Sequence, residues 1–421
     1  MVKLTFNKLL YLVLLLNVAA YSFLFTTDLS CSWESYILGI AAVSIVCIIY
    51  IVSVRNGAGD TYLLLLICML LSIGLLMILR LSTELAIKQV VWAILGTIVF
   101  FLTYYMYTKI REWDRFVYVY IFLPVALYLA TLVFGKSVNG ALNWITIGGI
   151  GFQPSELNKV LFIFFLASYF QEPDDLFFKK IHQNKKRIAV INKVLLMLVV
   201  YMNIGFLVIQ KELGTAVLLF LVFIILLYVF GKELGFFLLN SALIIPGIIF
   251  AYVSFYHVRV RVEAWVDPWA DITDKGYQIT QSLFAIASGG VFGTGIGMGS
   301  PGMIPIVSTD FIFSAICEEI GMFGGVAIIL LYMIFIYRGI KIMLSIKNRF
   351  NRVLGFGSIV TLGLQAFIII GGVIKLIPLT GITLPFISYG GSSLVVSFII
   401  FGIIQAISQT ISASKGDELD V

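Results

Sequence analysis

VRVRVEAWVDPWADITDKGYQITQS, residues 258–282, is a polar stretch in a chain that is otherwise almost continuously apolar. It carries two Arg, three Asp and a Pro between two Trp, followed by a Gly-rich tail. Everything around it reads as membrane helix. The insertion as a whole, residues 255–310, therefore reads as a working surface at one face of a bilayer, with Asp271 at its centre.

The composition supports that frame. Hydrophobic residues make up 61% of the 421 positions and charged residues 12%, with a mean hydropathy of +1.06. These values belong to a polytopic membrane protein rather than to two or three soluble domains. A span needs about 20 apolar residues, because the hydrocarbon layer is roughly 30 Å thick and a helix rises about 1.5 Å per residue. That window predicts about twelve spans, near residues 7–27, 35–53, 61–79, 88–107, 115–134, 155–170, 189–209, 214–230, 234–254, 311–336, 353–374 and 386–411. Backbone amides in lipid must bond within their own segment, so the spans are helices. The apolar runs do not alternate, which excludes a barrel. The expected fold class is an all-α polytopic membrane protein.

Lys and Arg placement sets the expected orientation. With the N-terminus cytoplasmic, the inner side receives Arg55, the group Lys109/Arg111/Arg115, the cluster KKIHQNKKR at 179–187 and the run from Arg338 to Arg352. Together with the chain ends, that side holds about two-thirds of all Lys and Arg, the positive-inside bias. Both termini are then cytoplasmic and the 255–310 loop is extracytoplasmic. Arg80 and Lys88 fall on the outer side against the trend. The net charge of +6 is explained by these inner loops and by attraction to anionic membrane lipid, so no nucleic-acid partner is implied. The first apolar run is too long for a secretory h-region and is read as a retained helix. Cys47, Cys68 and Cys317 lie in spans and Cys31 faces outward, with no CxxC metal pattern.

Several motifs place polar groups at membrane depth. In FQPSELNK, residues 152–159, Pro154 suits the first helical position, with Gln153 at the N-cap and Glu156 at the third helical residue. Lys159 then stands one turn on, placed for an i,i+3 pair. A plain capping role competes with a functional one, and ionisable residues in a span favour function. QKELGTA, residues 210–216, puts Glu212 at the tip of a tight turn, where a solvated loop carboxylate is the simplest reading. In TDFIFSAICEEIG, residues 309–321, Thr309 and Asp310 cap a helix, and Glu318 and Glu319 lie roughly 12–14 Å further along its axis. At least one of that pair should face a polar cavity or a cation.

Within the insertion, Trp265 and Trp269 suit the membrane interface. Arg259 and Arg261 alternate in an extended-looking stretch, and a strand would point both to one side. Two forked cations there suit phosphate, while snorkelling to lipid headgroups is the competing explanation. GYQITQSLFAIASGG, residues 276–290, reads as an amphipathic helix with Ile279, Leu283 and Ile286 on one side and Gln278, Gln281 and Ser282 elsewhere. The following GVFGTGIGMGSPG lacks the GK[ST] ending of a phosphate loop and reads as flexible re-entrant backbone. LPFISYGGSS, residues 384–393, with Ser388 and Tyr389, reads as broken backbone lining a cavity.

In their order, NGALNWI, FQPSELNK, QKELGTA, RVRVEAWVDPWAD with GYQITQS, TDFIFSAICEEIG and TGITLPFISYGGSS carry a resemblance. The chain resembles the SEDS proteins (shape, elongation, division and sporulation), whose members include FtsW, RodA and SpoVE. The resemblance runs from about residue 61 to 411, and six motifs in one order are far more specific than any one.

It implies a ten-helix core at 55–412, an accessory helix pair at 1–54 as in the long Gram-positive-type form, and a cytoplasmic tail at 413–421. It also implies a peptidoglycan glycosyltransferase that polymerises lipid II outside the membrane, with Asp271 as the presumed catalytic residue. Arg259, Arg261 and Lys159 are the candidates for the leaving pyrophosphate. Glu156, Glu212, Gln281, Ser282, Thr309, Asp310, Glu318, Ser388 and Tyr389 form an expected polar network around the cavity. A divalent cation (Mg or Mn) is a candidate cofactor, without a fixed metal site. The implied partner is a class B penicillin-binding protein, a single-span transpeptidase.

The chain departs from the family pattern at Asn143, where Arg is common, at Lys211 and Glu212, where QPDLG is common, and after Asp271, where it reads ITDKGY. These departures bear on substrate positioning more than on the reaction class. A flippase for lipid-linked precursor is the alternative from another class, because intramembrane carboxylates and a broken last helix also suit alternating access. A scaffold that only activates a partner is a third reading.

Overall fold

The computed structural model describes residues 2–27, 32–110, 112–138, 141–173, 185–231 and 233–417. Arg111, Cys31, residues 179–184 of the basic cluster and the tail beyond 417 lie outside them.

The chain runs through α1 (Val2–Thr27), α2 (Trp33–Arg55), α3 (Thr61–Leu81), α4 (Thr83–Lys109), α5 (Val117–Phe134), β1 (Lys136–Val138), β2 (Ala141–Ile147) and β3 (Ile150–Phe152). It continues with α6 (Pro154–Gln171), α7 (Lys185–Ile209), α8 (Leu213–Phe230), α9 (Leu234–Ala242), α10 (Ile244–Ser254), α11 (Tyr256–Val266), α12 (Tyr277–Gly289), α13 (Ile312–Leu344), α14 (Arg349–Val373) and α15 (Gly391–Asp417). Among the described residues, 11 helical stretches are long and apolar enough to cross a membrane, with α9 and α10 forming one of them. Each corresponds to one of the twelve expected spans. The twelfth, α6, forms as a helix of 18 residues, but Glu156, Asn158 and Lys159 near its start lower its apolarity. α6 is buried along nearly its whole length, so its polar start meets protein.

The chain divides into two compact units. The first comprises Met1–Phe100, Ala251–Arg338 and Gln365–Phe398. Its centre is α3, buried at almost every position from Leu63 to Leu79 and packed by α1 and α2. Asp60 caps α3 by accepting from the N–H groups of Tyr62 (3.1 Å) and Leu63 (2.9 Å). Its two carboxylate oxygens also take a bidentate pair from Arg338 at 2.7 and 2.6 Å, which ties the start of α3 to α13. At Gly74 the α3 backbone lies so close to the 386–387 backbone that a Cβ would stand 2.7 Å from Ile387 Cα. The break before α15 thus rests directly on α3. Phe386 there has φ of 65°, and α15 starts only at Gly391, so the LPFISYGG stretch is non-helical as expected.

The second unit comprises Phe101–Phe250, Gly339–Leu364 and Ile399–Val421. α5 packs on α6, and α7 and α6 pack on α8. A small antiparallel sheet of order β1-β2-β3 fills most of the stretch between α5 and α6. β2 and β3 pair Ile145 with Phe152 and turn through Gly148 and Gly149, both at positive φ (58° and 86°). Two left-handed residues in a two-residue turn match the twist of the flanking strands, and glycine adopts that conformation without a Cβ clash.

Three expectations are corrected. Residues 256–266 form the helix α11 and not a strand. Residues two apart on a helix point about 200° away from each other, so Arg259 and Arg261 face opposite ways. Ser282 lies on the buried face of α12, where its Oγ bonds Ser314 Oγ at 2.6 Å. The Gly-rich run is a bonded set of turns and not loose backbone: Thr294 and Gly295 N–H donate to the carbonyls of Glu318 and Glu319, and Met322 N–H donates to Gly290 O. α13 accommodates this at Gly321, where φ is 77°.

Candidate active site

In the first unit, α11 runs into a turn closed by Asp271. The Asp271 carbonyl accepts from Gly276 N–H at 2.8 Å, and its Oδ1 accepts from Asp274 N–H at 3.2 Å. Asp267 makes a similar local turn, accepting from Trp269 N–H at 3.1 Å. Short carboxylate side chains close such turns by taking a backbone N–H two or three residues on. Gly276 is required sterically: a Cβ there would stand 2.1 Å from Pro268 O and 2.8 Å from Asp271 O.

Asp271 is half-buried and lines a cavity of about 480 Å³ together with Tyr252, Glu263, Asp267, Lys275 and Gly276. Lys275 pairs with Glu263 at 3.1 Å. The hydrogen bond to Glu263 and that carboxylate's negative charge push the Lys275 ammonium's pKa up. Arg259 is exposed; it donates to Val253 O (3.3 Å) and its guanidinium lies 5.7 Å from the ring centre of Tyr252, itself a cavity wall. Arg261 instead donates to Thr380 O at 2.9 Å and stands beside Asp310.

Ser388 and Tyr389 anchor the broken segment before α15. Ser388 Oγ donates to Thr309 O (2.6 Å) and accepts from Leu384 N–H (2.9 Å), and Tyr389 N–H donates to Ser308 O (2.8 Å). Gln89 of α4, buried, bridges the same segment, from Ser388 O to Gly390 N–H, each at 3.3 Å. Thr309, Asp310, Ser388 and Tyr389 therefore form one group. Gln281 is half-buried on α12.

Deeper in the same unit, Glu319 pairs with Arg80 at 3.0 Å and accepts from Gly297 N–H at 3.1 Å. Glu318 Oε1 accepts from Ser300 N–H at 2.7 Å. Arg80 also donates to the carbonyls of Gly297 and Gly299, both at 3.1 Å. The expected cationic partner of the Glu pair is thus Arg80, the residue that broke the positive-inside trend. A second cavity of about 330 Å³ lies between Arg80 and residues Gly299–Met303.

The second unit holds a polar cluster of its own residues. Glu156 and Lys159 pair at 2.7 Å, both buried, in the expected i,i+3 arrangement. Glu212 is buried rather than solvated, which corrects the loop reading. Its Oε1 accepts from Gln153 Nε2 (3.0 Å), Ser155 Oγ (2.9 Å) and Thr215 Oγ1 (2.6 Å), and burial pushes its pKa up against those bonds. Lys211, at φ of 60°, turns the chain so that Glu212 points inward. Asn143 Oδ1 is buried without a hydrogen-bond partner.

Sequence reasoning did not single out Lys275, Glu263, Gln89 or Arg80 as site residues. Only the oddity of Arg80 in the charge pattern signalled one of them. Among the described residues no three His, Cys, Asp or Glu side chains gather to hold a metal ion.

The family described as "Cell cycle protein", that of FtsW, RodA and SpoVE, matches residues 60–413. The chain belongs to this family. Among curated relatives, the "Peptidoglycan glycosyltransferase RodA" of Mycobacterium tuberculosis is 36% identical over 368 residues, covering 83% of this chain and 78% of the relative. The "Stage V sporulation protein E" of Bacillus subtilis is 32% identical, covering 84% and 98%. A solved structure titled "Structural coordination of polymerization and crosslinking by a peptidoglycan synthase complex" aligns with a TM-score of 0.68 at 25% identity, over 84% of this chain and 98% of that one. The Thermus thermophilus RodA structure shares the fold at a TM-score of 0.58 and 24% identity, over 83% and 97%. The FtsW–RodA–SpoVE match starts after α2, so α1 and α2 lie outside it.

Proposed function

We propose that this peptidoglycan glycosyltransferase polymerises lipid II at the outer face of the cytoplasmic membrane, with Asp271 as general base. The observation that carries the assignment is that Asp271, held by its own turn, lines the 480 Å³ cavity of the first unit.

An acceptor sugar's 4-hydroxyl is a poor nucleophile. As its oxygen bonds to the anomeric carbon of the lipid-linked glycan, the proton passes to the Asp271 carboxylate and the bond from that carbon to the pyrophosphate breaks. Removing a proton in this way is worth roughly 10² to 10⁴ in rate. The pyrophosphate leaves as an anion and needs cations rather than a proton donor, unlike the leaving oxygen in glycoside hydrolysis. Arg259, exposed beside Tyr252, and Lys275 on the cavity wall are assigned that role. Lys159, paired with Glu156, is kept as a further candidate for the same role.

The chain is a multi-pass membrane protein with both termini assigned to the cytoplasm by the Lys and Arg pattern. A class B penicillin-binding protein is the proposed partner. Support comes from the related solved structure, which is titled as a complex coordinating polymerisation with crosslinking.

The test is polymerisation of purified lipid II in detergent, where no membrane separates two sides. Glycan product is expected from the wild type, and Asp271→Ala should abolish it while leaving the protein folded. Full activity in Asp271→Ala would remove Asp271 from the mechanism. Lipid II translocation in liposomes without polymer would favour the flippase instead.

A further inference from the structure

Arg261 is the Arg of α11 that turns into the protein. Its Nη1 donates to Thr380 O at 2.9 Å. One helical turn on, Trp265 Nε1 donates to Lys375 O at 3.1 Å, and Lys375 Nζ returns a bond to Val266 O at 3.4 Å. One face of α11 thus rests on the 375–381 backbone. Gly381 has φ of 74°, and a Cβ on it would stand 3.2 Å from Arg261 Nη2 and 3.6 Å from Asp310 Oδ2. Guanidinium and carboxylate therefore close over the same glycine. Asp310 itself ends the turn whose Ser308 and Thr309 carbonyls hold Tyr389 and Ser388.

Three chain segments meet at this pair: α11, the 375–390 stretch and the 306–310 turn. α11 leads directly into the turn that carries Asp271. We propose that Arg261 is a positioning residue, which with Asp310 as counter-charge fastens α11 to the 375–381 segment and so sets where Asp271 stands, rather than touching the pyrophosphate. This rests on the reading of Asp271 as base.

The chemistry favours positioning over phosphate contact. A guanidinium turned into the protein, with one N–H on a backbone carbonyl and its charge facing a carboxylate, has less to gain from a phosphate than the exposed Arg259 on the other side of α11. Burial pushes the Asp310 pKa up while the Thr309 hydrogen bond and Arg261 pull it down, and burial lowers that of Arg261 while Asp310 raises it, so the two charges support each other. Small displacements matter here, because moving a catalytic group by about 1 Å costs on the order of 10²-fold in rate.

The experiment is a double-mutant cycle on the full-length protein in detergent with lipid II as substrate: Arg261→Gln, Asp310→Asn and the pair. Arg261→Gln is expected to lower kcat about 10²-fold while KM stays within about twofold, a loss confined to the transition state. The double variant should be no slower than the slower single variant, because both act through one pair of opposite charges beside Gly381. Arg261→Lys, which can still donate to Thr380 O and face Asp310, should recover about tenfold of the loss.

A KM rise with kcat unchanged, or two single losses that multiply in the double variant, would overturn the assignment. Should Arg261→Gln not accumulate as folded protein, the cycle is run with Arg261→Lys and Asp310→Asn, where multiplying losses overturn it equally. Activity retained by Asp271→Ala would remove the base and the positioning role with it, whereas multiplying losses alongside an inactive Asp271→Ala would overturn the positioning role alone.

Discussion

Arg80 and Glu319, 239 positions apart, join at 3.0 Å inside the first unit, with the Glu319 side chain fully buried. The pair also clasps the Gly-rich turns, since Glu319 takes the Gly297 N–H and Arg80 gives to the Gly297 and Gly299 carbonyls. Removing either partner leaves a charge buried alone, which costs about 3–5 kcal/mol. Arg80→Ala and Glu319→Ala should therefore each lower the thermal unfolding temperature in detergent markedly. Replacing both with Met should recover much of that loss.

Glu212 gives the protein a pH dependence of definite sign. Its carboxyl is buried with Oε2 unpartnered, and burial raises its pKa above the ordinary value of 4.5. The folded state then binds the proton more tightly than the unfolded chain. Between 4.5 and the raised folded value, stability falls as pH rises, and below 4.5 the penalty is absent. Melting temperature measured against pH should show this decline in the wild type. Glu212→Gln, which cannot ionise, should flatten it; an unchanged slope would assign the dependence to other groups.

Gly276 closes the Asp271 turn at a point where no side chain fits. A Cβ 2.1 Å from Pro268 O cannot be absorbed by rotating a flexible side chain. Gly276→Ala should push the 268–276 turn apart and lower lipid II turnover by about 10²-fold if Asp271 moves by about 1 Å. Stability should change far less, because the turn is largely exposed. Comparing turnover with melting temperature separates the two effects.

Gly74 makes the converse case, where stability suffers first. Its Cα side faces Ile387 Cα and the carbonyls of Phe386 and Ile387, each 2.7 Å from a built Cβ. Overpacking a close contact costs typically about 1–3 kcal/mol. Gly74→Ala should lower the melting temperature. It should also raise hydrogen exchange at the Tyr389 amide, which holds the 384–390 segment on the Ser308 carbonyl.

Much of the architecture was legible in the sequence because span length and apolarity are local properties. The i,i+3 pair of Glu156 and Lys159 was equally readable, since helix geometry places those positions together. The break at 384–390 showed in its Gly and Ser content. α11 was misread as extended because Val alternates with Arg there, and β-branched residues favour strands when nothing else intervenes. Tertiary docking of Arg261 and Trp265, one turn apart, onto a single segment outweighed that preference.

The sequence by itself determined a multi-span helical membrane protein of the FtsW–RodA–SpoVE family, with Asp271 in its polar loop. Only the tertiary structure decided which Arg of α11 faces inward, that Glu212 is buried, and that Arg80 answers Glu319. Helix formation in an apolar run follows from backbone hydrogen bonds within one segment. The partner of a buried charge is fixed only when segments hundreds of residues apart pack together, and no local pattern encodes that meeting.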